Sequence, residues 1–484
     1  MLRFLLLIAA TIHLYGQNQT SYVTYPLPQD SLPFRVNIQF ANFSLPFGLQ
    51  AYVPAQYKGE WLLISGRVYG MHGFDQNLAE TFPVSGQNSS VIVVNPKTGQ
   101  SFRRSLYDPT SQLTQAQIDQ ISVTDALAYQ TEDEKTLYFV GGYGTNTATG
   151  QKQTMSVLTA IDVPSLIKWV KREPNCKSAA KCLRQVSDPL LQVTGGVMLQ
   201  TNPHEPYLLG LGQNFVGTYV DTTSNGIYTH QIRPFQIIDT GKSLFVQPYS
   251  QPAPIASYRR RDLNIIPIIK KQGKAYRQAF VALGGVFTPG INFGAWTIPI
   301  EINGDGSSST IDPNANPGTF AQGMNNYNSA TAGLYSKKTN DMYTLLFGGI
   351  SFLYSVNGGF YSPGGSFALD PELPYVNDVT TLRIDSSGNY QQYFMSGTFP
   401  QVTPSFGTAP GPDLLFGSLS SFFPADGLPL FANGVIDLDQ IQLPLLLGYI
   451  VGGIESSMAE TDSEIGNVDT HASSYIFTVT LEAP

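Results

Sequence analysis

Charge is scarce in this sequence. Asp, Glu, Lys and Arg make up 13% of its 484 residues, about half the share of an ordinary soluble domain. The net charge is −8 and no basic stripe offsets it, so no nucleic-acid partner is expected. Cysteine is nearly absent: Cys176 and Cys182 are the only two. That excludes a disulfide-framework fold and a four-cysteine zinc site. The five histidines (His13, His72, His204, His230, His471) show no His-x-His or His-x-x-x-His spacing, so no clustered metal site is expected. No Gly-x-Ser-x-Gly turn or phosphate-cradling loop occurs. No stretch of the mature chain has the roughly 20 apolar residues a membrane-spanning helix needs.

One short apolar run stands at the start. Phe4–Ala10 follows Arg3 and precedes the small residue Gly16, the pattern of a cleaved secretory signal over residues 1–16. The other reading is a short buried strand or helix. The signal implies a secreted, extracellular or periplasmic protein. In such a compartment Cys176 and Cys182 can close a small disulfide ring around Lys177–Lys181; two free thiols are the alternative. Residues 17–33 are polar and Pro-rich, a lead-in to a single domain over 34–484. Asn18, Asn42 and Asn88 stand in glycosylation sequons, relevant only in a eukaryotic secretory path.

What the chain has in plenty is Gly (46), Pro (33), Phe (28) and Tyr (26), a composition for short strands and many turns. Apolar strands repeatedly stop at glycine: Leu137–Gly142 (LYFVGG), Ala279–Gly285 (AFVALGG), Met342–Gly349, Tyr449–Gly453 (YIVGG) and, with one glycine lost, Trp61–Gly66 (WLLISG). Leu211-Gly212 is a second worn copy. The final glycines stand 64 to 76 residues apart, with a last step of 104 that holds a Pro/Gly/Phe-rich insertion around 399–423. Without a Cβ, such a pair lets a strand end turn sharply and lets neighbours approach.

Each anchor sits within a group of four strand-like segments. The second unit is expected to return near Lys168–Val170, and the third to use Ile227–Gln231 and Phe235–Ile238. The sixth, from Leu428–Val435, Leu445–Val451 and Ser474–Leu481, lacks a fourth strand. Phe34–Leu45 alternates at period two and is free to supply it. Units that cannot bury both faces alone must stack, and radial stacking gives a propeller. The expected fold is therefore all-β: a six-bladed β-propeller of four-stranded antiparallel blades, its ring closed by the N-terminal strand. A jelly roll or a pair of sandwiches is the alternative.

Gly348-Gly349 followed by Asn377-Asp378, and Gly141-Gly142 followed by Trp169, resemble the Kelch-repeat, galactose-oxidase-like propellers. Gly284-Gly285 with Trp296 and Gly452-Gly453 match in part. That family includes oxidases that bind copper through Tyr, Cys and His. Here both cysteines lie in one polar loop, so a copper-radical oxidase is disfavoured and no cofactor is expected. The resemblance also implies enzymes of the sugar isomerase or mutarotase type.

In propellers the loops leaving the second strands and those leading into the first strands open on one end of the channel, which here collects Arg67–Asp75, Tyr143–Thr147, Gln213–Tyr219, Thr288–Phe293, Tyr354–Phe360 and Glu455–Asp462. Aromatic faces and amides on such loops suit sugar or peptide contacts, although the same aromatics can simply pack their own loops. Arg67, His72, Tyr143 and Asn214 are the expected ligand contacts. Arg67, His72 and Glu455 are the expected catalytic set, a carboxylate facing an arginine and a histidine. Arg259-Arg260-Arg261-Asp262 reads as a solvated loop or as an anion or carboxylate clamp. Asn303 to Asp312 spaces oxygen side chains as calcium loops do, but lacks the bidentate Glu and reads as a polar turn. Glu455, Glu460, Asp462 and Glu464 form an acidic loop that could hold a cation or keep the rim soluble. The composition favours a binding module for a glycan or an extracellular protein. The alternative is a carbohydrate-active enzyme with its site at the channel mouth.

Overall fold

The computed structural model describes residues 23–484 except 74–80, 175, 177, 220–225, 274, 290–293, 314, 356–366, 371 and 462–467. The expected signal segment, Asp462 and Glu464 lie outside the described residues. The chain folds as an all-β propeller of four-stranded antiparallel blades. Five blades come from consecutive strands. The first is Val53–Tyr57, Glu60–Ile64, Ser90–Asn95 and Gln100–Ser105. The second is Leu127–Gln130, Thr136–Val140, Val157–Asp162 and Leu183–Ser187. The third is Val197–Leu199, Tyr207–Gly210, Ile232–Asp239 and Leu244–Pro248. The fourth is Asn264–Gln272, Ala275–Leu283, Ile300–Asn303 and Ser308–Thr310. The fifth is Ala330–Ser336, Asp341–Ile350, Tyr375–Ile384 and Tyr390–Phe394.

The remaining four-stranded sheet is composite, not the continuous sixth unit expected. Ser421–Pro424, Leu445–Val451 and Ile476–Glu482 supply three strands, and Arg35–Phe40 pairs antiparallel along the outer one. Ser421–Pro424, rather than Leu428–Val435, is its innermost strand. Phe34, Val36 and Ile38 are buried in the cluster that holds Tyr343, Phe477 and Val479. Trp61 of the first blade stacks on Phe423 of the composite sheet at 4.7 Å.

Two expected strands are something else. Lys168–Val170 lies in an α-helix, Val163–Val170, that sends five of its eight residues into the core. Val163, Leu166, Ile167 and Val170 fall at helical spacing, and the Asp162 carboxylate caps the start by accepting from the Ser165 N–H at 2.9 Å. Trp169 is therefore a helix residue, with the Arg104 guanidinium 4.5 Å over its ring. Ile227–Tyr228 pairs with Gln213–Asn214 in a separate loop ribbon, and Phe235 belongs to the third strand of its blade. No helix among the described residues is long and apolar enough to cross a membrane.

The glycine pairs prove to be a backbone device repeated six times. Both residues of Ser65-Gly66, Gly141-Gly142, Leu211-Gly212, Gly284-Gly285, Gly348-Gly349 and Gly452-Gly453 have positive φ. Ser65 and Leu211 adopt a conformation that costs a side-chain-bearing residue about 1–2 kcal/mol. Glycine is required where the next sheet comes close: a Cβ on Gly141 would lie 1.9 Å from the Val193 carbonyl oxygen. The second glycine donates its N–H to the following sheet, as from Gly142 to Val193 (3.0 Å) and from Gly453 to Leu49 (2.9 Å). These bonds stitch sheet to sheet, including the last to the first.

A second repeat surrounds the channel. Ala51, Asp125, Gly195, Asp262, Asn328 and Leu419 each stand two residues before an innermost strand, and all six are left-handed. Asp, Asn and Gly tolerate this region best. Main-chain bonds link neighbours in the ring: Gly195 N–H to Asp125 O (3.1 Å), Asp262 to Gly195 (2.8 Å), Leu419 to Asn328 (2.6 Å) and Ala51 to Leu419 (3.2 Å). The six residues form a waist.

Candidate active site at the channel waist

The waist encloses about 160 Å³ and is bordered by all six ring residues. Above it, on the side of the loops that leave the second strands, lies a cavity of about 90 Å³ that shares Asp125, Asp262, Asn328 and Leu419 with it. Below, between the innermost strands, the channel widens to about 390 Å³. Asp125 and Asp262 thus border both the waist and the upper cavity.

Burial and the charge of Asp262 push the Asp125 carboxyl up to about 7, against the pull of Arg67, the Thr124 hydroxyl and Arg261. Burial likewise raises Asp262, opposed by Arg261. Burial thus makes both carboxyl groups reluctant to ionise, and the charge of Asp262 adds to this at Asp125.

Arg67 and His72 meet in the upper cavity. Arg67 is 4% exposed, and its guanidinium lies 4.2 Å over the Tyr69 ring and 4.3 Å over the Phe82 ring. Its Nη2 donates to the Gly70 carbonyl at 3.1 Å. His72 stacks on Phe82 at 4.5 Å and meets Tyr219 edge-on at 4.8 Å. Burial, with Arg67 and Arg261 nearby, drives its pKa well below the ordinary 6.5, so the imidazole is neutral at physiological pH.

Arg261 enters from the opposite side. Its Nη2 donates to the Tyr219 hydroxyl at 2.6 Å, and its Nε lies 3.5 Å from Asp262 Oδ2. The three consecutive arginines have three fates. Arg259 lies 4.0 Å over the Tyr228 ring and donates to the Phe287 carbonyl. Arg260 is fully buried against Trp296 and donates to Ser257 O. Only Arg261 reaches the cavity. Tyr327, Phe287 and Gln50 complete its walls. Burial and the Asp262 charge keep the Tyr327 hydroxyl protonated.

The other expected residues lie elsewhere. Tyr143 is buried with Phe215 and Tyr219 and donates to Gly217 O at 2.5 Å, a packing role beside the cavity. Asn214 sits in the ribbon paired with Ile227 and does not border the cavity. Glu455 pairs with His471 on Ile454–Ser456; burial raises its carboxyl, but it does not border the cavity that Arg67 and His72 share. The carboxyl groups that do border it are those of Asp125 and Asp262. Sequence reasoning gave neither of them this place: it pointed also to the loops leading into first strands, but drew its candidates from the loops after second strands and took Asp262 only as the end of a basic cluster. The available signal was Asp, Gly, Asp and Asn at one register position in four successive blades.

Other residues singled out by the sequence have defined surroundings. Cys176 and Cys182 are free thiols rather than a disulfide. Each donates to a backbone carbonyl, Ser165 at 3.0 Å and Ser178 at 3.6 Å. Asp305 closes its own turn by accepting from the Ser307 N–H at 2.9 Å and hydroxyl at 2.6 Å. Among the described residues no group of three or more His, Cys, Asp or Glu is placed to hold a metal ion. The Asn88 side chain is enclosed and donates to Ser65 O and Ser90 O, which leaves no room for a glycan there.

No protein-family model matches the chain, and no curated protein matches it. Solved structures match at low identity. YjhT matches at 10% identity over 91% of this chain and 98% of that one, with a TM-score of 0.43. The xylan β-1,4-xylosidase of Bacillus halodurans C-125 matches at 10% over 87% and 72%, TM-score 0.31. A thermostable family-43 glycoside hydrolase matches at 9% over 77% and 99%, TM-score 0.32. At these TM-scores the likenesses carry no argument about site or activity.

Proposed function

We propose that this chain is a carbohydrate-active enzyme of the isomerase or mutarotase type, with Asp125 and Asp262 as its acid–base pair. One observation carries the reading: two buried carboxyl groups border a cavity lined by aromatic rings and by Arg67 and Arg261. A binding module needs no proton donor and acceptor, which is why this reading displaces that of a binding module. In mutarotation the ionised carboxylate takes the proton of the anomeric hydroxyl while the C1–O5 bond breaks. The protonated partner gives its proton to O5. The open-chain aldehyde turns, and the reverse steps close the ring on its other face. Acid–base assistance of this kind contributes about 10²–10⁴-fold. The rings of Phe287 and Tyr219 offer apolar faces to sugar C–H groups.

The finer architecture belongs to the same reading. We infer a Kelch-like ring in which the composite sheet serves as a sixth blade, locked by Arg35–Phe40, with the chain exported by its first sixteen residues. The test is exchange NMR between the α and β anomer signals of a panel of neutral and acidic monosaccharides. The expected result is faster exchange with the protein for at least one sugar. No acceleration for any sugar would refute the reading.

A further inference from the structure

We propose that Gly195 is a positioning residue of the waist: the side chain it lacks is the space in which the Asp262 carboxyl lies. Its bearing on turnover rests on the preceding reading. In the ring Gly195 stands between the two aspartates. Its N–H donates to Asp125 O at 3.1 Å, and its carbonyl accepts from the Asp262 N–H at 2.8 Å. A Cβ on Gly195 would lie 2.7 Å from Asp262 Oδ1, inside van der Waals contact. The second carboxyl oxygen, Oδ2, faces Arg261 Nε at 3.5 Å. The Asp262 carboxyl thus rests between a guanidinium and bare backbone, over the residue that separates it from Asp125.

The backbone alone does not demand glycine here. Gly195 has a φ of +67, yet every other member of the ring is left-handed and carries a side chain, Ala51 at +50 and Leu419 at +55 among them. At Gly141 the obstructing atom is a main-chain oxygen of the next sheet. At Gly195 it is the tip of a side chain, and the next atom, Arg261 Cβ, lies 3.3 Å away. A methyl group is therefore accommodated by turning the carboxyl aside to another rotamer, not by moving a strand. Because the methyl enters between the two aspartates, Asp262 is turned away from Asp125. Asp125 keeps the pull of Arg67 and Arg261 and its bond from the Thr124 hydroxyl at 3.3 Å, and loses part of the like charge that opposes its ionisation. His72, Tyr219 and Tyr327, the other titratable groups of the cavity, stay uncharged. The Asp125 titration moves down, and the alignment of the two carboxyl groups on a ligand is lost.

The test compares wild type, Gly195→Ala and Gly241→Ala, with Gly195→Ala repeated in an Asp262→Ala background. Gly241 is left-handed at +78 with nothing within 4 Å of its Cβ position, so its variant reports the backbone cost alone. The readouts are thermal melts, anomer exchange, and the Asp125 titration by carboxyl-carbon NMR, its signal assigned from Asp125→Asn. Gly195→Ala is expected to melt within a few degrees of Gly241→Ala. It should lower the Asp125 midpoint by about half a pH unit or more. It should cut the exchange kcat on the order of tenfold or more with KM little changed. In the Asp262→Ala background it should move the Asp125 midpoint no further. Misfolding of Gly195→Ala in both backgrounds would assign the glycine to backbone packing and overturn the proposal. An unmoved midpoint in the folded variant, or a shift that persists without the Asp262 carboxyl, would overturn it too. The titration needs no sugar: a wild type that exchanges no anomers sinks the preceding reading, while the midpoints still decide whether Gly195 places Asp262.

Discussion

Replacing Asp125 with asparagine interrogates the waist through folding rather than turnover. Burial and the Asp262 charge raise the Asp125 carboxyl from an ordinary 3.8 to about 7. Between those values the native chain binds more protons than the unfolded chain, so this group's contribution to stability falls as pH rises. It is fully present below pH 4 and lost above about pH 7. Roughly three pH units at about 1.36 kcal/mol each set a ceiling of ~4 kcal/mol. Asparagine cannot ionise and escapes this loss. It also removes a like charge from Asp262, which adds to the gain. Urea denaturation of both proteins at pH 4, 6 and 8 should give a variant-minus-wild-type difference that grows by up to ~4 kcal/mol in the variant's favour. Asp378, also buried and raised to about 7, is common to both proteins and cancels. A difference that stays constant from pH 4 to 8 would refute the electrostatic account of the site.

Three further outcomes address the ring. Gly141→Ala places a Cβ 1.9 Å from Val193 O at a φ of +64, and a loss above about 3 kcal/mol is expected in thermal melts. Ser65→Gly, at the corresponding place in the first blade, should instead hold or raise the melting temperature. Deleting the chain through Phe40 exposes the surface that buries Phe34, Val36 and Ile38. At about 2 kcal/mol per side chain the loss is ~6 kcal/mol, read from urea midpoints; an unchanged midpoint would show that Arg35–Phe40 does not lock the ring.

Much of the architecture was legible because its signals are local. A glycine pair after an apolar strand marks a left-handed double turn, and the period-two alternation of Phe34–Leu45 marks an edge strand. Even the worn copies at Ser65 and Leu211 stood at the right spacing and hold the expected backbone. The Val163–Val170 helix was missed because Lys168–Val170 alone is too short to show a period. The site was half legible. Arg67 and His72 lie on a loop already under suspicion. The carboxyl groups that border the same cavity come from blades two and four, each at a turn that resembles an ordinary Asp-initiated strand start, and only the arrangement of blades around the channel brings these together. Glu455 was expected because the last and first sheets are neighbours; adjacency of sheets does not fix which strand ends border the channel.

The most direct test of the central claim is the rate of anomer exchange for a bound monosaccharide, measured by NMR for wild type and for the Asp125→Asn and Asp262→Asn variants at matched folding. The account predicts that each variant loses on the order of 10²-fold or more of the protein's acceleration, while sugar affinity changes far less. Acceleration retained in both folded variants would show that the waist carboxyl groups do no acid–base work.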